Sequence, residues 1–370
     1  MDHDSRRGAF FHPLMAFDGD GIPLGLAWQK IWKRDSLNNH LSKKQRSQKR
    51  THTPIEDKES FRWIEGIREA RKVAQSCPET TCVCVGDSEA DIYESFIEPR
   101  SFEKADGSQG ELHLLIRARQ RRATNESGDW FKVLRAEDCL YHSSVEVSPR
   151  SPQKIAPAKA RKRNLPRTAR IAELEVRTKR VTLRPPYRPD KQLSSTQINL
   201  VLIEESNAPD GCEPICWLLA TTLPIENPEQ VKTIVHSYCL RWQIEIFFRT
   251  LKSGCRIQER YFEKLSRLLN CVAVYSIVAW RVMYLCRLGR ECPDMNCEVV
   301  FEPCEWKAVY KIMKKKDPPK DPPPLNDIVR MVAVLGGFVD RRKSQPGTQT
   351  LWIGLQRLRD LATAWKAFKH

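Results

Sequence analysis

The chain has 370 residues, with 62 Lys and Arg against 46 Asp and Glu and a formal charge of +16. That length accommodates two or more globular domains, or one large domain with an insertion, and that charge suits a polyanionic partner such as nucleic acid. No uninterrupted apolar stretch reaches the length of a membrane span and the opening MDHDSRRGAFF has no signal-peptide pattern, which argues against a membrane partner and for a cytoplasmic protein.

In chain order, AFFHPLMAFDGDGIPLGLAWQKIW reads as two β-rich runs around Asp-Gly-Asp-Gly, a hairpin. After the basic stretch SKKQRSQKRTHTP, residues Glu56 to Gln75 place Phe61, Trp63, Ile64, Ile67 and Val73 among charges, the pattern of an amphipathic helix. TTCVCVGD is a short buried strand ending at Gly86 and Asp87, followed by a helix that Ser88 can cap, with Asp91 in its first turn. ELHLLIRARQ reads as another strand, with Arg117 and Arg119 near its end. Lys154 to Arg170 holds seven basic residues and no acidic one, interrupted by proline, the composition of a loop or arm. Around it the runs IAELEVRTKRVTLRPP, QINLVLIEE and ICWLLATTLP give a β-rich section. From Pro228 the pattern is helical, and LNCVAVYSIVAWRVMYLCRL is apolar nearly all round, so burial is expected. KKKDPPKDPPPLND then separates it from an amphipathic C-terminal part.

Thirteen Cys lie scattered through apolar runs and read as reduced core residues. The spacings Cys82-x-Cys84, Cys212-x3-Cys216 and Cys292-x4-Cys297 lack well-placed His partners, which argues against zinc.

The stretch YCLRWQIEIFFRTLK carries the most chemistry. On a continuous helix Tyr238, Arg241, Glu245 and Lys252 fall within a stripe about 60° wide. Glu245 lies between Ile244 and Ile246, so a buried carboxylate that is paired or coordinating is expected. It either bridges to Arg241 or Arg249 along the helix, or converges with Asp87 on Mg²⁺, a hard cation that one or two carboxylates hold. Asp87, at the carboxyl end of a strand, is itself either a turn former or a catalytic group. Two such ions about 4 Å apart clamp the attacking and leaving oxygens of an in-line phosphoryl transfer, with Arg241 and Lys252 on phosphates and Tyr238 positioning one.

The spacing Tyr-x2-Arg-x3-Glu-x6-Lys resembles the YREK signature of the DDE transposases of the insertion-sequence-four group, whose core is ribonuclease H-like. VGDSEADIYE, EDKESFRWIEG, LLIRARQ, ICWLLATTLPIENPEQ and LGGFVDRRKSQPG are similar to further blocks of that family, in the same order over almost the whole chain. The resemblance implies an α/β, ribonuclease H-like core with a β-rich insertion and a helical C-terminal part. Its expected divisions are 1–124 for the first part of the core and 125–230 for the insertion with its basic loop. Residues 231–290 would hold the Glu-bearing helix and the helix after it, and 291–370 the C-terminal region. It implies that Asp87 and Glu245 are the second and third acidic residues of a catalytic and metal-binding triad, that Mg²⁺ is the cofactor, and that DNA, as transposon ends and target, is the partner. Arg117, Tyr238, Arg241 and Lys252 are then DNA or phosphate contacts. Trp217, twenty-one residues before Tyr238, matches an aromatic that stacks on a flipped base; its other reading is a core aromatic.

The family's first acidic residue has no counterpart. Asp2 and Asp4 lie in a polar stretch with no apolar run, and Asp18 and Asp20 fall in the hairpin turn. The expectation is a core lacking its N-terminal region and first strand, and a transposase with little activity by itself, since two carboxylates under-coordinate a metal pair. Alternatives are a non-catalytic DNA-binding remnant, which could also poison full-length transposase by mixed dimer formation, and an unfolded chain. A bacterial, nucleoid-associated cytoplasmic location and a homodimer complete the expected picture.

Overall fold

The computed structural model describes residues 9–33, 42, 52–126, 128–150, 167–189, 191–341 and 344–368. Asp2 and Asp4, most of the basic stretch before Pro54, and the part of the basic loop up to residue 166 lie outside the described residues. The chain divides into two compact units, one of residues 35–241 and one joining residues 1–34 to 242–370.

The hairpin at the beginning is observed. Strands β1 (Phe10–Phe17) and β2 (Pro23–Trp32) pair antiparallel. Asp18 builds their turn, its Oδ1 accepting from the Asp20 and Ile22 N–H groups at 3.0 and 2.8 Å, an Asx geometry.

The 35–241 unit starts with helix α1 (Phe61–Ser76), preceded by a 3₁₀ turn at Ile55–Asp57, so the expected helix begins later than its charge pattern suggested. Ile64, Ile67, Ala70 and Ala74 form its buried face at helical spacing. Strand β3 (Val83–Gly86), the short helix α2 (Tyr93–Ile97), strands β4 (Ser101–Glu103), β5 (Gln109–Glu111) and β6 (His113–Ala118), and helix α3 (Trp130–Arg135) follow. Then come β7 (Tyr141–Val147), β8 (Arg170–Leu183), β9 (Thr196–Glu205), β10 (Cys216–Thr221) and helix α4 (Pro228–Leu240). One six-stranded sheet runs β3-β6-β10-β9-β8-β7; β3 and β6 are parallel and every other pairing is antiparallel. Strands from both the expected first part of the core and the expected insertion therefore share one sheet. Val231, Ile234 and Tyr238 of α4 pack onto one face of it, against Leu115, Val176, Val201, Ile203 and Leu219.

In the other unit the hairpin is joined by α5 (Gln243–Arg249), a π-helical turn at Thr250–Gly254, α6 (Leu265–Glu291), α7 (Pro303–Lys314), α8 (Leu325–Leu335) and α9 (Thr348–Phe368). Phe247, Leu251, Cys255, Ala279 and Met283 bind the hairpin side chains Phe11, Met15, Phe17 and Leu26 into one cluster. A second core, centred on Trp306, Ile328, Val332 and Leu351, holds α7, α8 and α9 together. Helices α8 and α9 touch through backbone, because a Cβ added at Gly354 would sit 1.9 Å from the Val332 carbonyl oxygen.

One expectation needs correction here. Helix α6 is not buried all round: Val274 and Ile277 are each 60 % exposed. It is also long and apolar enough to cross a membrane by length and composition, because an α-helix tolerates an occasional charge such as Arg281 that interrupts the linear apolar run. The α/β class, with a mixed sheet and a helical C-terminal part, is as expected.

Candidate nucleic-acid interface

Two of the expected site residues of the sheet unit, Asp87 and Arg117, lie where β3 and β6 end side by side. The two strands are parallel with Gly86 opposite Ile116, so Asp87 and Arg117 follow adjacent positions at the same, carboxyl end of neighbouring strands. Crevices beyond the carboxyl ends of parallel strands are where α/β sheets present ligand groups. Gly86 lets the chain fold back tightly, since a Cβ there would lie 2.6 Å from the Ala90 Cβ.

Asp87 is half-buried and shapes the turn it starts. Its Oδ1 accepts from the Glu89 N–H at 2.8 Å and its carbonyl oxygen from the Ala90 N–H at 3.0 Å, which leaves Oδ2 outside that turn. Ser88 does not cap a helix: α2 starts at Tyr93 with Ile92 at its N-cap, because the Asp87 turn occupies the intervening residues.

Asp91 departs furthest from its expected place in a helical first turn. Its side chain is fully buried and accepts from the Arg119 and Gln120 N–H groups, both at 2.6 Å, and from Arg122 Nε at 3.0 Å. Arg122 lies within 5.4 to 6.0 Å of the ring centres of Phe96, Trp130 and Tyr93. A buried carboxylate is tolerable when charge-assisted donors surround it, and this one joins the turn after β3 to the turn after β6. Sequence spacing gave no sign of that pairing, since Asp91 and Arg122 are 31 residues apart.

Arg117 sits opposite Leu219 of β10, and its guanidinium carbon lies 5.7 Å from the centre of the Trp217 ring. Trp217, two residues from Leu219 and so on the same face of β10, meets Tyr238 of α4 edge to face at 5.4 Å. The Arg241 guanidinium carbon is 5.6 Å from the Tyr238 ring centre. Four of the expected site residues thus form one series of contacts, Arg117, Trp217, Tyr238 and Arg241. Tyr238 is only 4 % exposed and half-buried Trp217 packs against the same core, as the core-aromatic reading of Trp217 expects.

Glu245 and Lys252 belong to the other unit. The single helix expected from Tyr238 to Lys252 is interrupted: α4 ends at Leu240, Arg241 and Trp242 form a turn, and α5 runs from Gln243 to Arg249. Thr250 Oγ1 then donates to the Ile246 carbonyl at 2.9 Å, and the Cys255 N–H reaches back five residues to the Thr250 carbonyl at 2.9 Å. That wide turn contains Lys252, whose ammonium is 5.5 Å from the Phe248 ring centre. The four residues therefore do not share one helical stripe. Glu245 is exposed instead of buried, because the apolar side of short α5 is carried by Phe247, with Ile244 and Ile246 half-buried beside the exposed Glu245.

Asp87 and Glu245 offer the hard oxygen donors that Mg²⁺ takes. Among the described residues no group of three or more His, Cys, Asp or Glu is placed to hold a metal ion, so the donor type fits a divalent cation but the donor count is short.

Two family models match the chain. Residues 109–271 match the Transposase DDE domain, a span that contains Arg117, Trp217, Tyr238, Arg241, Glu245 and Lys252 and begins after Asp87. Residues 277–366, from within α6 to near the end of α9, match the Transposase Tn5 dimerisation domain. The mixed sheet with its helical C-terminal part is consistent with a ribonuclease H-like transposase core. The first match carries with it divalent-metal use by the family, and the second dimer formation.

Proposed function

We propose, for a chain whose two matched segments support a DDE transposase, that it acts on insertion-sequence ends of the insertion-sequence-four type. The observation that carries this reading is the contact series from Arg117 through Trp217 and Tyr238 to Arg241, which lies inside the DDE match and beside Asp87. Arg117 and Arg241 are fixed cations at its ends and suit phosphates, and the Trp217 indole suits stacking on an extruded base. Lys252, on its wide turn, is a further phosphate contact in this reading. Asp87 and Glu245 each offer a carboxylate of the kind that takes Mg²⁺, which when bound polarises phosphoryl oxygens and activates water for phosphodiester hydrolysis and strand transfer. In this division of labour residues 125–230 contribute to DNA binding and the helical region from 291 to dimer formation.

With two carboxylates where the family mechanism uses three, we further propose that this chain by itself transfers strands poorly. The second reading, a DNA-binding or inhibitory transposase remnant acting through mixed dimers in the bacterial nucleoid, is favoured by the same contact series, which is complete without any metal ligand. A cleavage and strand-transfer assay on end-containing DNA with and without Mg²⁺, with Glu245→Ala alongside, separates the two. Binding without turnover in either protein is the expected result; robust Mg²⁺-dependent turnover abolished by Glu245→Ala would overturn the claim of inactivity and establish the carboxylate's role.

A further inference from the structure

Among the described cysteines one pair stands apart from the core thiols. Cys77 is the residue that ends α1, and Cys82 immediately precedes β3. Their sulfur atoms are 3.7 Å apart, both residues are half-buried, and Glu79 to Thr81 between them are exposed. The backbone holds that approach in place. The Thr80 N–H donates to the Cys77 carbonyl at 3.0 Å, closing a turn, and the His113 N–H donates to the Cys82 carbonyl at 2.9 Å, anchoring Cys82 to the strand beside it. Cys77 Sγ also donates to the Val73 carbonyl at 3.0 Å. The sulfurs are therefore in contact, and must approach by about 1.7 Å to reach the roughly 2.05 Å of a disulfide bond.

We propose that Cys77 and Cys82 form a dithiol modification site, which an oxidant of the small-molecule disulfide class converts to an internal disulfide joining the end of α1 to the start of β3. Cys77, as thiolate, attacks one sulfur of the oxidant and expels one small thiolate, leaving a mixed disulfide. Cys82 then loses its proton and attacks the Cys77 sulfur, expelling the second small thiolate. Two protein thiols are oxidised to one disulfide, the oxidant is reduced to two thiols, and the two protons pass through water to the departing sulfurs. The order follows from burial, which together with the neighbouring Cys77 thiol pushes the Cys82 thiol up to about 11 and makes it the poorer first nucleophile. Two residues further on, burial pushes the Cys84 thiol up to about 12, so this neighbour stays out of the exchange. The inference is independent of any activity on DNA.

The test uses the whole chain, incubated with oxidised glutathione, alkylated in the native state, denatured, alkylated again with a second reagent and digested with trypsin without reduction. The peptide from Val73 to Arg100 contains Cys77, Cys82 and Cys84 and no other cysteine. It is expected to be lighter by two hydrogen masses, with only Cys84 labelled, and that only after denaturation; a reductant restores both thiols. Cys82→Ser is expected to stop the reaction at a glutathione adduct on Cys77. Two separate adducts on Cys77 and Cys82 in the unmodified sequence, or both thiols still open to native alkylation after oxidant treatment, would overturn the proposal. Because this mapping is done on the unsubstituted protein, a folding defect in the variant does not alter what it decides.

Discussion

The end of the β3–β6 pair and the segment from Arg241 to Gly254 both carry carboxylates and cations, and they treat them in opposite ways. At the strand ends Asp91 is fully buried and held by two backbone N–H groups and a guanidinium, while Asp87 fastens its own turn. Beyond Arg241 the helix breaks, widens into a π-helical turn, and leaves Glu245 exposed. A carboxylate bound into the backbone is fixed before any ligand arrives. One exposed on a short helix next to an irregular turn stays open to solvent. Loss of the buried, fully bonded carboxylate should therefore cost more stability than loss of the exposed one.

The largest effect expected from this contrast is at Asp91. Asp91→Ala leaves the Arg122 guanidinium buried without its carboxylate, and loss of one partner of a buried pair costs about 3–5 kcal/mol. Thermal or urea unfolding checks it, and a loss under about 1 kcal/mol would erase the distinction between the regions. Next is Gly354→Ala, where the added methyl must displace the Val332 carbonyl at the α8–α9 contact. Overpacking of this kind costs about 1–3 kcal/mol by the same measurement.

A smaller effect concerns pH. Arg170 donates to Glu205 and, together with the Ile215 N–H, holds its carboxyl below the ordinary value of 4.5. A depressed folded-state value means that Glu205 contributes stability above pH 4.5, and that this contribution is lost as pH falls from there through the folded-state value. Glu205→Gln should lower the melting temperature at neutral pH and flatten its decline below about pH 4.5. A decline unchanged from the parent protein would show that Arg170 does not stabilise this carboxylate. The smallest effect is at Glu245: Glu245→Gln should change stability by less than about 0.5 kcal/mol, and a larger loss would mean that the exposed carboxylate is structural after all.

The sequence made the periodic parts legible. The hairpin was readable from Asp-Gly-Asp-Gly, the strands from short β-branched runs, and α4 from the helical pattern that begins at Pro228; the structure adds the Asn227 cap, whose Oδ1 accepts from the Gln230 N–H. Resemblance to the transposase family, and not local pattern, singled out Arg117 and Trp217, while helical spacing drew attention to Tyr238 and Arg241. What spacing could not carry was a change of helical state inside one apolar run. YCLRWQIEIFFRTLK has no Gly or Pro to mark the turn at Arg241, and the π turn is closed by the Cys255 N–H bonding to the Thr250 carbonyl, beyond the end of that run. Nor could local pattern reveal the Asp91–Arg122 pair, because a buried polar partnership across two strand ends depends on sheet order. The exposed face of α6 escaped for a related reason: composition tells how apolar a helix is, and only its neighbours tell how much of it they cover.

The central claim, that the series from Arg117 to Arg241 is a DNA surface, is tested most directly by the salt dependence of end-DNA binding in three proteins: the parent chain, Arg117→Ala and Trp217→Ala. Loss of a phosphate contact should reduce the slope of log K against log salt by about 1 in Arg117→Ala. Loss of stacking should cost Trp217→Ala about 1–3 kcal/mol at every salt concentration, with the slope unchanged. Binding by both variants indistinguishable from the parent chain in affinity and slope would contradict the account.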